Sequence, residues 1–224
     1  MRQPVFLAMD TATEACSVAI HGMNGIFEEC VIAANVHSQA LLPMIERVLQ
    51  RSGYVLSDLT AIACGVGPGG FTGVRIGVST AQALALIHQL PVYPVSSLQA
   101  LAAGVRYPQV LVALDARKGE VYAGSYVQND GGLPQLQGVE RVCAPEAVDW
   151  PEEGFWWGLG TGWQAYHQHW QGSQILGWSG DCFPQAEAVL RLAMARHAAG
   201  DPGIHPTQLE PHYIRPFLPQ EQQK

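Results

Sequence analysis

The sequence predicts an α/β protein built from two related halves. Three observations carry this. Short apolar runs ending on an acid alternate with helix-period segments, as expected of strands with helices between them. One such run, Phe6-Leu-Ala-Met-Asp10, is followed by a turn and Cys16-Ser-Val-Ala-Ile20. The same order returns as Leu111-Val-Ala-Leu-Asp115, a turn and Glu120-Val-Tyr-Ala-Gly124, which reads as an internal duplication making Asp10 and Asp115 equivalent. The halves are expected at 1–104 and 105–224, the second reduced and ending in a tail.

The elements follow in order. Residues 5–10 and 15–20 read as strands, 22–25 as a turn with two glycines, and 26–33 as a third strand. Residues 38–51 read as a helix, with Leu41, Leu42, Met44, Ile45, Val48 and Leu49 on one arc and Pro43 near the start, where a missing N–H matters least. His37, just before it, reads as a local cap. Residues 61–65 form a short strand feeding the glycine-rich turn Gly65-Val-Gly-Pro-Gly-Gly-Phe-Thr-Gly73, then a helix over 74–88. Residues 92–95 are a strand, and Ser96 or Ser97 caps a short helix.

In the second half 110–115 and 120–127 are strands, 129–132 a turn, 145–154 an irregular connection, 155–160 a strand into a glycine turn, and 184–199 a helix. The segment 201–224, with five prolines, reads as a tail over the surface, fraying after Pro219.

Composition narrows the function. Hydrophobic residues make up 48% and charged residues 14%, a globular balance that disfavours disorder. No apolar run approaches the roughly 20 residues that cross a bilayer, and the start lacks the features of a signal peptide. Five scattered cysteines with no C-x-x-C pair indicate free thiols in a reducing, cytoplasmic compartment. The formal charge is −7, with only Lys118 and Lys224 as lysines. Without a basic stripe, any RNA would be held mainly by another subunit.

Two segments could hold a nucleotide. Asp10-Thr11-Ala-Thr13, an acid and hydroxyls at a strand end, suits a phosphate with Mg²⁺; alternatively Asp10 satisfies local N–H groups. The loop carrying Gly67, Gly69, Gly70 and Thr72 precedes a helix and could cradle an anion, or its glycines could let helix and sheet pack closely. It lacks the G-K-[ST] of a P-loop. No H-x-x-x-H or C-x-x-C spacing is present, so no metal centre is expected. His167 and His169 read as packing and surface residues.

The helix over 74–88 is apolar on two sides. Val74, Gly77, Val78, Ala81 and Ala85 share one face; Ile76, Thr80, Ala83 and Ile87 share nearly the opposite one. The narrow face is expected to be a partner interface, joined by Leu41, Leu42 and Ile45 of the preceding helix. Ala81→Arg would then block pairing and spare the fold.

These motifs, above all Asp10-Thr-Ala-Thr13, His37-Ser-Gln, Gly65-Val-Gly-Pro-Gly-Gly-Phe-Thr-Gly-Val-Arg75 and Leu114-Asp-Ala-Arg-Lys-Gly-Glu-Val-Tyr122, resemble the bacterial TsaB (YeaZ) family. Beyond about residue 127 the likeness is faint, apart from Gly158-Leu-Gly-Thr-Gly162 and Pro211-His-Tyr-Ile-Arg215. The resemblance implies the actin, heat-shock ATPase and sugar-kinase (ASKHA) fold of two ribonuclease-H-like halves. It also implies a part in making threonylcarbamoyladenosine beside the anticodon of tRNA, paired with a catalytic TsaD-like paralogue and joined by a TsaE-like ATPase.

That paralogue carries an H-x-x-x-H metal pair where Ser97 and Leu101 would stand here. A non-catalytic subunit is therefore expected. It would need no cofactor of its own, any ATP and Mg²⁺ belonging to the complex, and it would self-associate when alone. The alternative is a stand-alone ATP-dependent phosphotransferase using Asp10 and Asp115. A peptidase finds no nucleophile–base pair.

Overall fold

The computed structural model describes residues 4–215 except 24 and 34. The first half is a five-stranded sheet of β1 (Phe6–Asp10), β2 (Ala15–Gly22), β3 (Gly25–Ile32), β4 (Ala61–Gly65) and β5 (Val92–Val95), in the order β3-β2-β1-β4-β5. β1 to β3 pair antiparallel, and β4 and β5 join parallel to β1. α1 (His37–Ser52) and α2 (Phe71–His88) supply the crossovers, and α3 (Ser97–Ala103) leaves the last strand.

The second half repeats this order. β6 (Gln109–Arg117), β7 (Glu120–Gln128), β8 (Pro134–Cys143), β9 (Trp156–Leu159) and β10 (Ile175–Ser179) are arranged β10-β9-β6-β7-β8, with β9 and β10 parallel to β6. Identical pairing rules in both sheets establish the duplication, with Asp10 and Asp115 near the ends of equivalent strands. The reduction is visible in the helices. A single turn, Pro145–Ala147, stands where α1 would be, and α4 (Thr161–Tyr166) where α2 would be; α5 (Ala186–Ala198) follows β10.

Both faces of each sheet are covered, so the central strands are apolar at every position rather than alternating. Leu7 and Met9 face α1 and α2, while Phe6 and Ala8 face Ala186, Val189 and Leu190 of α5. In the second sheet Val110, Val112 and Leu114 pack on Leu98 and Leu101 of α3. Leu111 and Ala113 pack on Trp156, Trp163 and Trp170. The halves thus exchange helices: α3 covers the second sheet and α5 the first.

Several expectations change. The narrow face of α2 is no interface: Val74, Gly77, Val78, Ala81 and Ala85 are all buried in the first core, as are Leu41 and Ile45 of α1. Small residues there let α2 lie close to the sheet. Of the residues assigned to that surface only Leu42 is exposed, at 53%. α2 also begins at Phe71, inside the glycine-rich turn. β8 and β10 had no clear signal. The tail is more than a surface strand: Ile204 bridges to Val92, and Leu209 is 1% exposed within the first core. The expected fraying after Pro219 lies outside the described residues. The aromatic segment around 155–170 builds a core, where Trp163 stacks on Trp150 (6.0 Å) and meets Trp170 edge-on (4.7 Å).

Ala81→Arg should therefore destroy the fold rather than only block pairing. It would force an unpaired charge into a packed layer at a cost of roughly 3–5 kcal/mol, a large share of a domain's stability. A thermal melt should show a lost or sharply lowered transition; a wild-type melting temperature would mean that this face is external.

Candidate functional site

The chemistry-bearing residues converge where the Asp10–Thr13 turn meets the glycine loop. β1 delivers Asp10 at its carboxyl end with no exposed surface. The Ala12 N–H donates to Asp10 Oδ1 (2.9 Å) and Ser97 Oγ donates to Oδ2 (2.7 Å). The Gly67 N–H donates in turn to Ser97 Oγ (3.2 Å), tying the glycine loop into the same network. Ser96, one residue earlier, caps α3 by accepting from the Leu98 and Gln99 N–H groups.

The loop then closes over the turn. Thr11 Oγ1 donates to the Gly73 carbonyl (2.7 Å), and the Gly70 N–H donates to the Ala12 carbonyl (2.7 Å). A Cβ at Gly65 would strike the Asp10 carboxylate, and one at Gly69 or Gly73 the Ala12 or Thr11 carbonyl. Gly69 and Gly73 are required by backbone proximity and Gly65 by the Asp10 carboxylate, so close packing accounts for them without a ligand. His37 is not a helix cap. It is the first residue of α1, and its Nε2 donates across to the Thr13 carbonyl (2.9 Å). Thr13 Oγ1 accepts from the Ala15 N–H (3.3 Å).

Burial dominates the electrostatics. It pushes the Asp10 carboxyl up to about 6, against the opposing pull of the Ala12 and Ser97 hydrogen bonds. A carboxyl with both oxygens engaged and no path to solvent is poorly placed to ligate Mg²⁺, which usually keeps several waters. Among the described residues, no three His, Cys, Asp or Glu side chains gather at ligating range.

The cleft between the halves has a volume of about 590 Å³. Thr11, Thr13, Gly69, Gly70 and Thr72 line it from the first half and Asp115 and Tyr122 from the second, while Asp10 and Gly67 lie behind its wall. Asp115 is partly open but engaged: its Oδ1 accepts from the Arg117 N–H (2.8 Å), and its Oδ2 lies 3.2 Å from the Arg117 guanidinium. Arg117 also reaches Glu14 of the first half at 2.6 Å, bridging the cleft. Sequence reasoning missed Glu14, Ser97 as a partner of Asp10, and Arg117. Each acts through a residue distant in the chain or through a turn geometry that local patterns do not reveal.

A family model described as "TsaD: tRNA N6-adenosine threonylcarbamoyltransferase" matches residues 21–153. The chain is 40% identical over 220 residues to the tRNA threonylcarbamoyladenosine biosynthesis protein TsaB of Escherichia coli (strain K12), covering 93% of this chain and 94% of that protein. It is 37% identical over 229 residues to the protein of the same name from Haemophilus influenzae, covering 96% and 95%. A solved structure, "YeaZ from Pseudomonas aeruginosa", superposes with a TM-score of 0.88 at 38% identity, over 95% of this chain and all of that one.

Asp10→Asn tests the burial argument. Asp10 has a raised carboxyl in the folded state, so it opposes folding above about pH 6. That penalty is relieved as pH falls toward the unfolded value near 4, because the folded state takes up the proton first. Asn removes the charge; its Oδ1 can still accept from the Ala12 N–H, while its Nδ2 would donate to Ser97 Oγ and so reverse the second bond. At pH 8 the variant should equal or exceed wild type in stability, by up to about 3 kcal/mol. The gap should shrink between about pH 6 and pH 4 in denaturant titrations. A variant clearly less stable than wild type at pH 8 would contradict this.

Proposed function

The chain belongs to the TsaB family of tRNA threonylcarbamoyladenosine biosynthesis proteins, and we propose that it serves that synthesis as a non-catalytic subunit that pairs with and activates a TsaD-like paralogue. The observation that carries this reading is the sealing of Asp10. The strand-end carboxylate that a phosphotransferase of this architecture would turn toward a metal-bound nucleotide is buried, hydrogen-bonded at both oxygens and walled off by the glycine loop. Ser97 and Leu101 occupy the positions compared with the metal-binding histidines, one bonded to Asp10 and the other 3% exposed in a core. In this proposal ATP, Mg²⁺ and most of the tRNA contact belong to the other subunits, including a TsaE-like ATPase. The phosphotransferase alternative retains only Asp115, which Arg117 neutralises.

The surface offered to the paralogue is the outer side of the α1–α2 pair, opposite the face expected from the sequence. Ile76, Thr80, Ala83 and Ile87 run along α2, with Ile87 73% exposed; Leu42 stands on α1 and Phe71 at the head of α2. A groove of about 510 Å³ separates the two helices there. Apart from Arg75, whose guanidinium lies over Phe71 at 3.7 Å, the stripe carries no charge, and an apolar face of this kind is seldom left bare. A paralogue of related fold would present a similar helix pair, favouring a pseudo-two-fold four-helix contact. Alone, two copies of this chain would use the same stripe.

Leu42→Arg with Ile87→Arg should abolish co-elution with the TsaD-like subunit and self-association in light scattering. Reconstituted tRNA modification should drop about 100-fold or more, from burying unpaired charge. The melting temperature should change little, because both positions are exposed. Persistent pairing in the double variant would refute the surface. ATP turnover by the chain alone at about 1 s⁻¹ or faster, lost in Asp10→Asn, would refute the non-catalytic assignment.

A further inference from the structure

We infer that residues 211–215 form an interlobe clamp that fixes the opening of the cleft, with buried Glu140 as its anchor. The segment touches both halves in turn through His212, Tyr213 and Arg215. The His212 N–H donates to the Val66 carbonyl of the first half (2.8 Å), while the His212 Nε2 lies 3.4 Å from Glu140 Oε2 on β8 of the second. The Tyr213 hydroxyl accepts from Arg75 Nε of α2 (2.7 Å), and its ring stacks on Phe71 (6.1 Å). Arg215 returns to the second half, donating to the Ala116 carbonyl (3.1 Å) and pairing with Glu120. Arg215 also lies over the Tyr122 ring at 6.0 Å; Ala116 and Tyr122 both line the cleft.

Glu140 is delivered to this junction by a break in strand pairing. β7 and β8 pair at Ala123↔Arg141 and next at Ser125↔Gln137, so residues 138–140 bulge opposite Gly124, with Gly138 at φ 79°. Bulges of this kind re-aim side chains. The Glu140 side chain, 7% exposed, accepts hydrogen bonds from Ser96 Oγ of the first half and the Tyr126 hydroxyl of the second.

Among the described residues His212 is the one basic side chain within ion-pair range of Glu140, and it supplies a counter-charge when protonated. Lifting the clamp would leave a buried carboxylate with hydroxyl donors and no counter-charge, an expensive state. Docking of the clamp and apposition of the halves at Ser96 and Tyr126 therefore favour each other. Although burial pushes the Glu140 carboxyl up, the bonds from His212, Ser96 and Tyr126 bring it below its ordinary value, and the same contact raises His212.

Hydrogen–deuterium exchange on the full chain tests the clamp. In His212→Ala with Arg215→Ala, amides at 66–70 and 114–122 should exchange about tenfold faster or more, while those of α1 keep wild-type rates. Glu140→Gln keeps the side chain's size and can still accept from the two hydroxyls, but it loses the charge facing His212. Exchange at 209–215 should rise first in that variant. Wild-type exchange at 66–70 and 114–122 in the double variant overturns the proposal. So does equal acceleration of every peptide including α1, which would mark ordinary loss of stability. Unchanged exchange at 209–215 in Glu140→Gln overturns the anchoring role of Glu140.

Discussion

The architecture depends on one close approach, that of the glycine loop to the Asp10–Thr13 turn. Because Gly69 and Gly73 carry no side chain where they face the Ala12 and Thr11 carbonyls, the head of α2 can sit against the backbone of the turn. Thr11 and Gly70 then supply the hydrogen bonds that hold it there. That contact sets where α2 lies on the sheet, hence which of its faces is buried. It also seals Asp10, whose two oxygens are satisfied by Ala12 and Ser97. The same packing explains why a site whose ingredients look like those of a phosphate-binding fold presents little free chemistry: its polar atoms are spent on one another.

Much of the fold was legible before the structure. The apolar strands ending on Asp10 and Asp115 revealed the duplication because β1 and β6 are covered on both faces and leave unbroken hydrophobic runs. β8 left no such trace: the alternation of Gln135-Leu-Gln137 is short, and the bulge at residues 138–140 breaks the period. The face of α2 was inverted for a related reason. Periodicity finds two apolar stripes but does not say which one meets the sheet. Small residues satisfy equally well a helix-to-helix contact and a helix lying close on strands; the core volume behind Gly77 and Ala81 decided for the sheet.

Of the site, the residues local in sequence were found and the relations between distant ones were not. Asp10, Thr11, Thr13 and the loop glycines do come together, joined at the cleft by Asp115. Ser97 meeting Asp10 across 87 positions, or Arg117 reaching back to Glu14 across 103, leaves no spacing signature. Arg117 and Lys118 adopt positive φ, 63° and 56°, in the turn that aims them. Neither residue type advertises that conformation.

The exchange of α3 and α5 bears on how the chain emerges from a ribosome. The first sheet is complete in sequence once β5 has been made, yet the face carrying Phe6, Ala8, Ala61 and Tyr93 takes most of its cover from residues 186–193 of α5, with Ala100 and Ala103 of α3 in the same cluster. Nearly half the polypeptide must still be translated before that face is closed. Through that interval the nascent chain displays a broad apolar sheet face, the kind of surface that holding chaperones recognise and that favours aggregation. The second sheet waits for nothing comparable, because α3 precedes it. Docking of α5 thus closes the first half, and late truncations of this chain should be read as folding lesions before they are read as losses of function.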